Sequence, residues 1–157
     1  LIDLLNNRGY TTFLVSNGTR PRVLERCRPY QMYVSLDAPD RETYNALCRP
    51  RGDYWDALQE SLSLLSGRRS AVRITLVRGW NDRLPEEYAA MIGESNPTFV
   101  EVKAYMYLGY SRKRMERENM PEHQHVRAFA DAIAEHSEYS VTDESPLSRV
   151  VLMERRE

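Results

Sequence analysis

Glu101, Lys103 and Tyr105 stand at alternate positions of one segment, as do Arg73 and Thr75 of another, and Ser35 and Asp37 of a third. Successive side chains of an extended chain point to opposite faces, so each set shares a face if its segment is a strand. A lysine on such a face has three chemistries open to it. It can be a Schiff-base nucleophile toward a carbonyl substrate, as in an aldolase, a cation facing a carboxylate, or the ion-pair partner of Glu101. Arg73 and Glu101 serve equally as an internal ion pair and as half of a polar cavity wall. Ser16, Asn17, Ser35 and Asp37 bring hydroxyl, amide and carboxylate groups suited to a ribose or an amino-acid head group. The same groups would also cap following helices.

Tyr105, Tyr107 and Tyr110, beside Arg112, Lys113, Arg114 and Arg117, combine stacking rings with phosphate-contacting cations, as expected for unpaired RNA. Glu116 and Glu118 dilute that charge, and a solvated helix start explains the same run. His123 and His125 cannot both face one metal from a helix, so they read as surface residues. Cys27 and Cys48 are too few and too far apart for a metal motif and read as ordinary, partly buried thiols.

The elements that must position these groups follow from periodicity. Thr11–Asn17, Gln31–Asp37, Ala71–Val77 and Thr98–Tyr107 alternate apolar with polar residues and predict strands. Helices are predicted between them: Leu1–Arg8, Pro21–Cys27, Asp40–Cys48 with Asp40 as N-cap, a longer one carrying Trp55, Leu58, Leu62 and Leu65 on one stripe, and Pro85–Gly93. Glu122–His136 is another helix, with Val126, Phe129, Ala130 and Ile133 on its apolar stripe. Tyr139–Thr142 and Arg149–Glu154 flank a polar Asp143–Pro146 turn and predict a terminal strand pair. Alternating β and α units indicate an α/β fold with a parallel sheet buried on both faces. A buried face carrying Asp, Arg, Glu and Lys is costly unless those groups meet each other or a ligand. In such folds the ligand lies at the carboxyl ends of the strands, as in a barrel or open sheet with a polar cavity there.

The chain has 157 residues and a net charge of −1, so global electrostatics give no reason to bind nucleic acid and any such contact must be local. It contains no long apolar run and no secretory leader pattern, hence no membrane span is expected, and the two thiols suit a cytoplasmic protein. It opens at Leu1 inside an apparent helix that no strand precedes, whereas eight-stranded barrels need about 250 residues. The expectation is one domain over residues 1–157, a fragment whose N-terminal strands are missing.

The segments Thr12–Gly18 (TFLVSNG), Gln31–Ala38 (QMYVSLDA), Arg73–Asp82 (RITLVRGWND) and Phe99–Ser111 (FVEVKAYMYLGYS), followed by Asp143-Glu144-Ser145 and Ser148–Val151, occur in the order and spacing of one family. The chain resembles the 4-demethylwyosine synthases, radical S-adenosylmethionine enzymes of wybutosine biosynthesis, nearly end to end. The resemblance implies the C-terminal portion of a partial (β/α)6 radical-SAM barrel, its third to sixth strands, with a terminal strand pair. The implied reaction joins two carbons of pyruvate to an N-methylated guanosine beside the anticodon of tRNA-Phe, using S-adenosylmethionine, a [4Fe–4S] cluster and an external electron donor. By the same carry-over Asn17, Ser35 and Asp37 would help hold S-adenosylmethionine, and Arg73 and Thr75 would line its cavity. Glu101, Lys103 and Tyr105 would face the substrate, and the loop of Tyr110, Arg112, Lys113 and Arg114 would approach tRNA. The family's three-cysteine cluster motif, Gly-Glu-Pro segment and pyruvate-binding lysine fall upstream of Leu1, so this chain alone is expected to be an inactive monomer. A Schiff-base lyase on Lys103 and a noncatalytic RNA-binding module are the competing readings.

Overall fold

The computed structural model describes residues 1–156. Six helices and six strands follow one another among these residues: α1 (Ile2–Asn7), β1 (Phe13–Ser16), α2 (Pro21–Leu24), β2 (Gln31–Ser35), α3 (Arg41–Cys48), α4 (Trp55–Ser63), β3 (Ser70–Leu76), α5 (Pro85–Ser95), β4 (Phe99–Ala104), α6 (His123–Glu135), β5 (Tyr139–Ser145) and β6 (Val150–Arg155). Two short 3-10 turns, Gly109–Lys113 and Arg117–Asn119, lie between β4 and α6. Asp40 caps α3 as its residue type predicts, accepting the Thr43 backbone N–H at 2.7 Å.

The strands form one mixed sheet in the order β1-β2-β3-β4-β6-β5. The first four are parallel and adjacent in chain order, so each crossover returns on the same side, unlike a doubly wound sheet. β6 runs antiparallel to β4, and β5 antiparallel to β6. The register places residues of each face in rows. Val34, Val72, Val100 and Met153 lie across one row of the apolar face, and Ile74, Val102 and Val151 across the next, with Leu36 just past the end of β2. These side chains are at most 0–1% exposed and share one core with Leu58 and Leu62 of α4, Tyr88 and Ile92 of α5, and Phe129 and Ile133 of α6. Burial of this kind is worth roughly 1.5–3 kcal/mol per large aliphatic side chain.

Helices α4, α5 and α6 cover this face, and the opposite face meets a helix only at its carboxyl end, where Leu47 of α3 packs with Val77 and Tyr105. The opposite face, carrying Tyr33, Ser35, Arg73, Thr75, Glu101 and Lys103, is half-buried among the described residues, a correction to the expectation of two covered faces. The two sheet edges also differ. β1 leaves Phe13 and Val15 more than half exposed, whereas β5 carries Asp143 and Glu144 and an irregularity between Val141 and Asp143.

Two further expectations shift. Strand β4 ends at Ala104 rather than Tyr107, although the polar-apolar alternation continues. Strand β5 runs through Ser145, and the hairpin turns at Pro146–Arg149, where the Arg149 N–H donates to the Pro146 carbonyl at 3.2 Å and Arg149 adopts φ 51. Ser148 and Arg149 thus make the turn, because the residues preceding them keep pairing across the hairpin.

Candidate functional site at the strand ends

The β1–α2 connection brings Asn17 to the carboxyl end of the sheet through Gly18. Gly18 has φ 72, and a Cβ there would stand 2.7 Å from Leu58 Cδ1 and 3.2 Å from Val34 Cγ1, so only glycine lets the loop lie against α4. Ser61 Oγ fixes it by donating to the Gly18 carbonyl at 2.6 Å.

The ends of β2 and β3 are tied by Asp37 and Asn81. The Asp37 carboxylate accepts the Thr75 backbone N–H at 2.8 Å. Asn81 is fully buried, and its amide is saturated. Its oxygen accepts the Val77 N–H at 2.7 Å, and its nitrogen donates to the Asp37 and Thr75 carbonyls, each at 2.9 Å. One side chain thereby holds two strand ends and the loop after β3. Burial pushes the Asp37 carboxyl above its ordinary range, while hydrogen bonds from Thr75 and the nearby Arg73 pull it back.

Two clefts open on either side of Asp37 and Cys48. The first, about 290 Å³, is lined by Asn17, Thr19, Ser35, Asp37, Tyr44 and Tyr54 among others. The second, about 230 Å³, meets Asp37, Thr75, Val77, Tyr105, Ser111 and Arg114. Its floor is a small apolar cluster of Leu47, Val77, Tyr105 and Met115, separate from the main core. Leu47 and Met115 carry no polar signal, and only their convergence in space reveals them as site walls. Cys48 is exposed, contrary to its expected partial burial.

Of the residues singled out by their types, Asn17, Ser35, Asp37, Thr75, Tyr105 and Arg114 line one or both clefts, and Arg73, Glu101 and Lys103 line neither. Arg73 and Glu101 meet each other, with Nε 2.8 Å from Oε1 and Nη2 3.3 Å from Oε2, and the guanidinium lies over the Tyr33 ring at 4.7 Å. Lys103 is therefore not the partner of Glu101, and it enters no ion pair among the described residues. Tyr105 continues the parallel ladder through its N–H to the Leu76 carbonyl at 2.8 Å, and its hydroxyl and Ser111 Oγ lie 2.8 Å apart.

In the aromatic and basic loop, Arg112 stacks over Tyr107 at 5.3 Å and Lys113 over Tyr110 at 4.3 Å. Arg114 differs, because Nη1 donates to the Leu47 carbonyl at the end of α3 at 2.9 Å. His123 and His125 are not free surface residues: His123 contacts Glu144 and His125 contacts Asp82, each at 2.9 Å, so α6 is clamped to β5 and to the loop holding Asn81.

The thiols do not fit an iron–sulfur cluster. Cys27 precedes β2 at the amino ends of the strands and Cys48 closes α3 at the carboxyl ends, and no group of three or more His, Cys, Asp or Glu among the described residues could hold a metal. Anaerobic reconstitution of this chain with iron and sulfide is expected to give no stoichiometric cluster absorption or EPR signal, and such a signal would contradict this geometry.

Residues 94–155 match a family model described as wyosine base formation. In an alignment of 164 positions the chain is 46% identical to the S-adenosyl-L-methionine-dependent tRNA 4-demethylwyosine synthase of Pyrococcus abyssi, covering 99% of this chain and 48% of that protein. The chain is similar to the 4-demethylwyosine synthase family over nearly its whole length. The protein of that name from Methanocaldococcus jannaschii is 37% identical over 155 residues, covering 98% of this chain and 50% of its own. A structure of TYW1 with a lysine-pyruvate adduct bound superimposes with a TM-score of 0.90 at 34% identity over 99% of this chain and 50% of that one. A coproporphyrinogen III oxidase of Escherichia coli described as a radical SAM enzyme, at 13% identity and a TM-score of 0.59, shares the fold alone. The chain spans about half the length of the curated relatives it matches. The segment matched by the family model takes in β4, the Tyr110–Arg114 loop, α6 and the β5–β6 hairpin.

Proposed function

We propose that this chain forms the later βα units, the third to sixth, of a partial (β/α)6 barrel in an S-adenosylmethionine-dependent tRNA 4-demethylwyosine synthase. The observation that carries the reading is the near end-to-end superposition on TYW1 of a singly wound sheet whose one uncovered face is polar. The substrate is then tRNA-Phe with an N-methylated guanosine beside the anticodon. Pyruvate as carbon donor is supported by the adduct named for the structural relative.

Asn17, Ser35 and Asp37 offer an amide, a hydroxyl and a carboxylate around one cleft, a donor set that fits the ribose and amino-acid parts of S-adenosylmethionine. That cofactor would supply the radical that starts the reaction. The chain's own residues bind and orient: the Thr75 N–H fixes the Asp37 carboxylate, Asn81 fixes the Asp37 backbone carbonyl, and the Arg73–Glu101 pair neutralises the middle of the polar face. Lys103, with its charge uncompensated on that face, is left to meet an anionic substrate group. The apolar floor of the second cleft, Tyr105 included, suits a planar base, with Ser111 and Arg114 also lining it.

The test is the contribution of the aromatic and basic loop to tRNA affinity. Arg112→Ala with Lys113→Ala is expected to raise the dissociation constant for tRNA and flatten its salt slope by up to about two units, leaving S-adenosylmethionine affinity unchanged. Adding Arg114→Ala should also lower the melting temperature, since that side chain satisfies the end of α3. Superimposable titrations of wild type and double variant at several salt concentrations would remove the loop from the RNA site.

A further inference from the structure

Arg28 and Arg68 come from different loops, yet their guanidinium groups converge on the same two carbonyls. Arg28 Nη1 donates to Glu25 O and, at 3.1 Å, to Cys27 O. Arg68 Nη1 donates to Cys27 O at 3.3 Å and Nη2 to Glu25 O at 3.2 Å. Neither guanidinium enters an ion pair among the described residues. Two like charges gathered on one pair of carbonyls repel each other, and the carbonyl dipoles offset only part of that cost. Each guanidinium has five N–H donors, of which the carbonyls engage only one or two.

Arg69 extends the cluster. Its Nε donates to Gln31 Oε1 at 3.0 Å while its guanidinium lies over the rings of Phe99 and Tyr30 at 4.8 and 5.4 Å. With Cys27, Pro29, Met32 and Gly67, the three arginines line a cleft of about 430 Å³. Arg28 lies just before β2 and Arg68 and Arg69 just before β3, at the amino ends of the strands, the pole opposite the clefts around Asp37.

We infer that the Arg28–Arg68 pair, with Arg69 beside it, is a phosphate site for the RNA backbone, a second grip on tRNA remote from the catalytic end. The inference rests on the functional reading above. Paired guanidinium forks with free donors match the oxygens of a phosphate, which would also supply the missing counter-charge. β3 has 7 residues and spans about 23 Å. A folded RNA arm crosses that distance to engage this cluster and the Tyr110 loop together, and a mononucleotide does not.

The test compares wild type with Arg28→Gln/Arg68→Gln, in which glutamine keeps a donor for the carbonyls and removes the charge. The double variant is expected to bind tRNA about tenfold more weakly at low salt, with a salt slope smaller by about one to two units and unchanged S-adenosylmethionine affinity. Its melting temperature without ligand should equal or exceed that of wild type, because the repulsion is gone. Unchanged RNA affinity with a lowered melting temperature would overturn the inference and leave the arginines as caps of the Glu25 and Cys27 carbonyls, while the Arg112/Lys113 variant still reports on the reading itself. If wild type binds no tRNA at any salt, that reading fails. Inorganic phosphate then decides the site: a rise in melting temperature in wild type that the variant lacks keeps the anion site, and no rise in either rejects it.

Discussion

Asn81→Ala is expected to cost about 3–5 kcal/mol of unfolding free energy, the largest loss anticipated for any single polar truncation in this chain. The substitution strips partners from three backbone groups at once: the Val77 N–H and the Asp37 and Thr75 carbonyls. Each buried group left unpaired costs roughly 1–3 kcal/mol, and no water path reaches a side chain that is 0% exposed without opening the strand ends. Asn81→Asp retains the acceptor for Val77 but turns a carboxylate oxygen on two carbonyls, so it should rescue little. Urea unfolding with a constant m-value measures the difference. A loss within about 0.5 kcal/mol of zero would show that the strand ends are held by the ladder alone.

Asp37→Asn is expected to separate stability from ligand affinity. The amide oxygen can still accept the Thr75 N–H that Asp37 holds at 2.8 Å, and a charge is removed from a site where burial disfavours it. Burial raises the Asp37 carboxyl above 3.8, its ordinary value. The native state therefore binds the proton more tightly than the unfolded chain. Asp37 thus favours folding below that ordinary value, and its contribution is lost as pH rises from there through the raised one. At neutral pH the asparagine variant should melt higher than wild type, with the gap closing in acid. Affinity of the enzyme for S-adenosylmethionine should fall by about 1–3 kcal/mol, the range for losing a hydrogen bond to a charged group. Asp37→Ala should lose affinity and stability together, since it leaves the Thr75 N–H unpaired. Calorimetric titration at neutral pH and melting curves across the acid range check both halves. Unchanged affinity in either variant would reduce Asp37 to a clamp between β2 and β3.

The strands were legible because alternation has a period of two, and the polar face it implies is the face that helices leave uncovered. The same signal misplaced the end of β4. Tyr105, Met106 and Tyr107 keep the alternation, but after the Tyr105 N–H bonds to Leu76 the chain leaves the ladder to follow the 3-10 turn at Gly109. The ion pair between Arg73 and Glu101 was legible as an alternative, since rows of a parallel sheet are fixed once register is known. Asn81 was not. Its importance lies in hydrogen bonds to Asp37, 44 positions away, and no local pattern distinguishes it from a loop asparagine. Leu47 and Met115 were hidden for the same reason. His123 and His125 were misjudged because the carboxylates they meet, Glu144 and Asp82, belong to other elements.

The unlike edges of the sheet give it a direction of growth. At β5 the charged pair Asp143 and Glu144, together with the irregular pairing, repels an incoming chain. At β1 a short row of backbone donors and acceptors is flanked by exposed Phe13 and Val15, which welcome one. A strand that adds to this sheet is expected to join beside β1, which would extend the polar face from the Asn17 side.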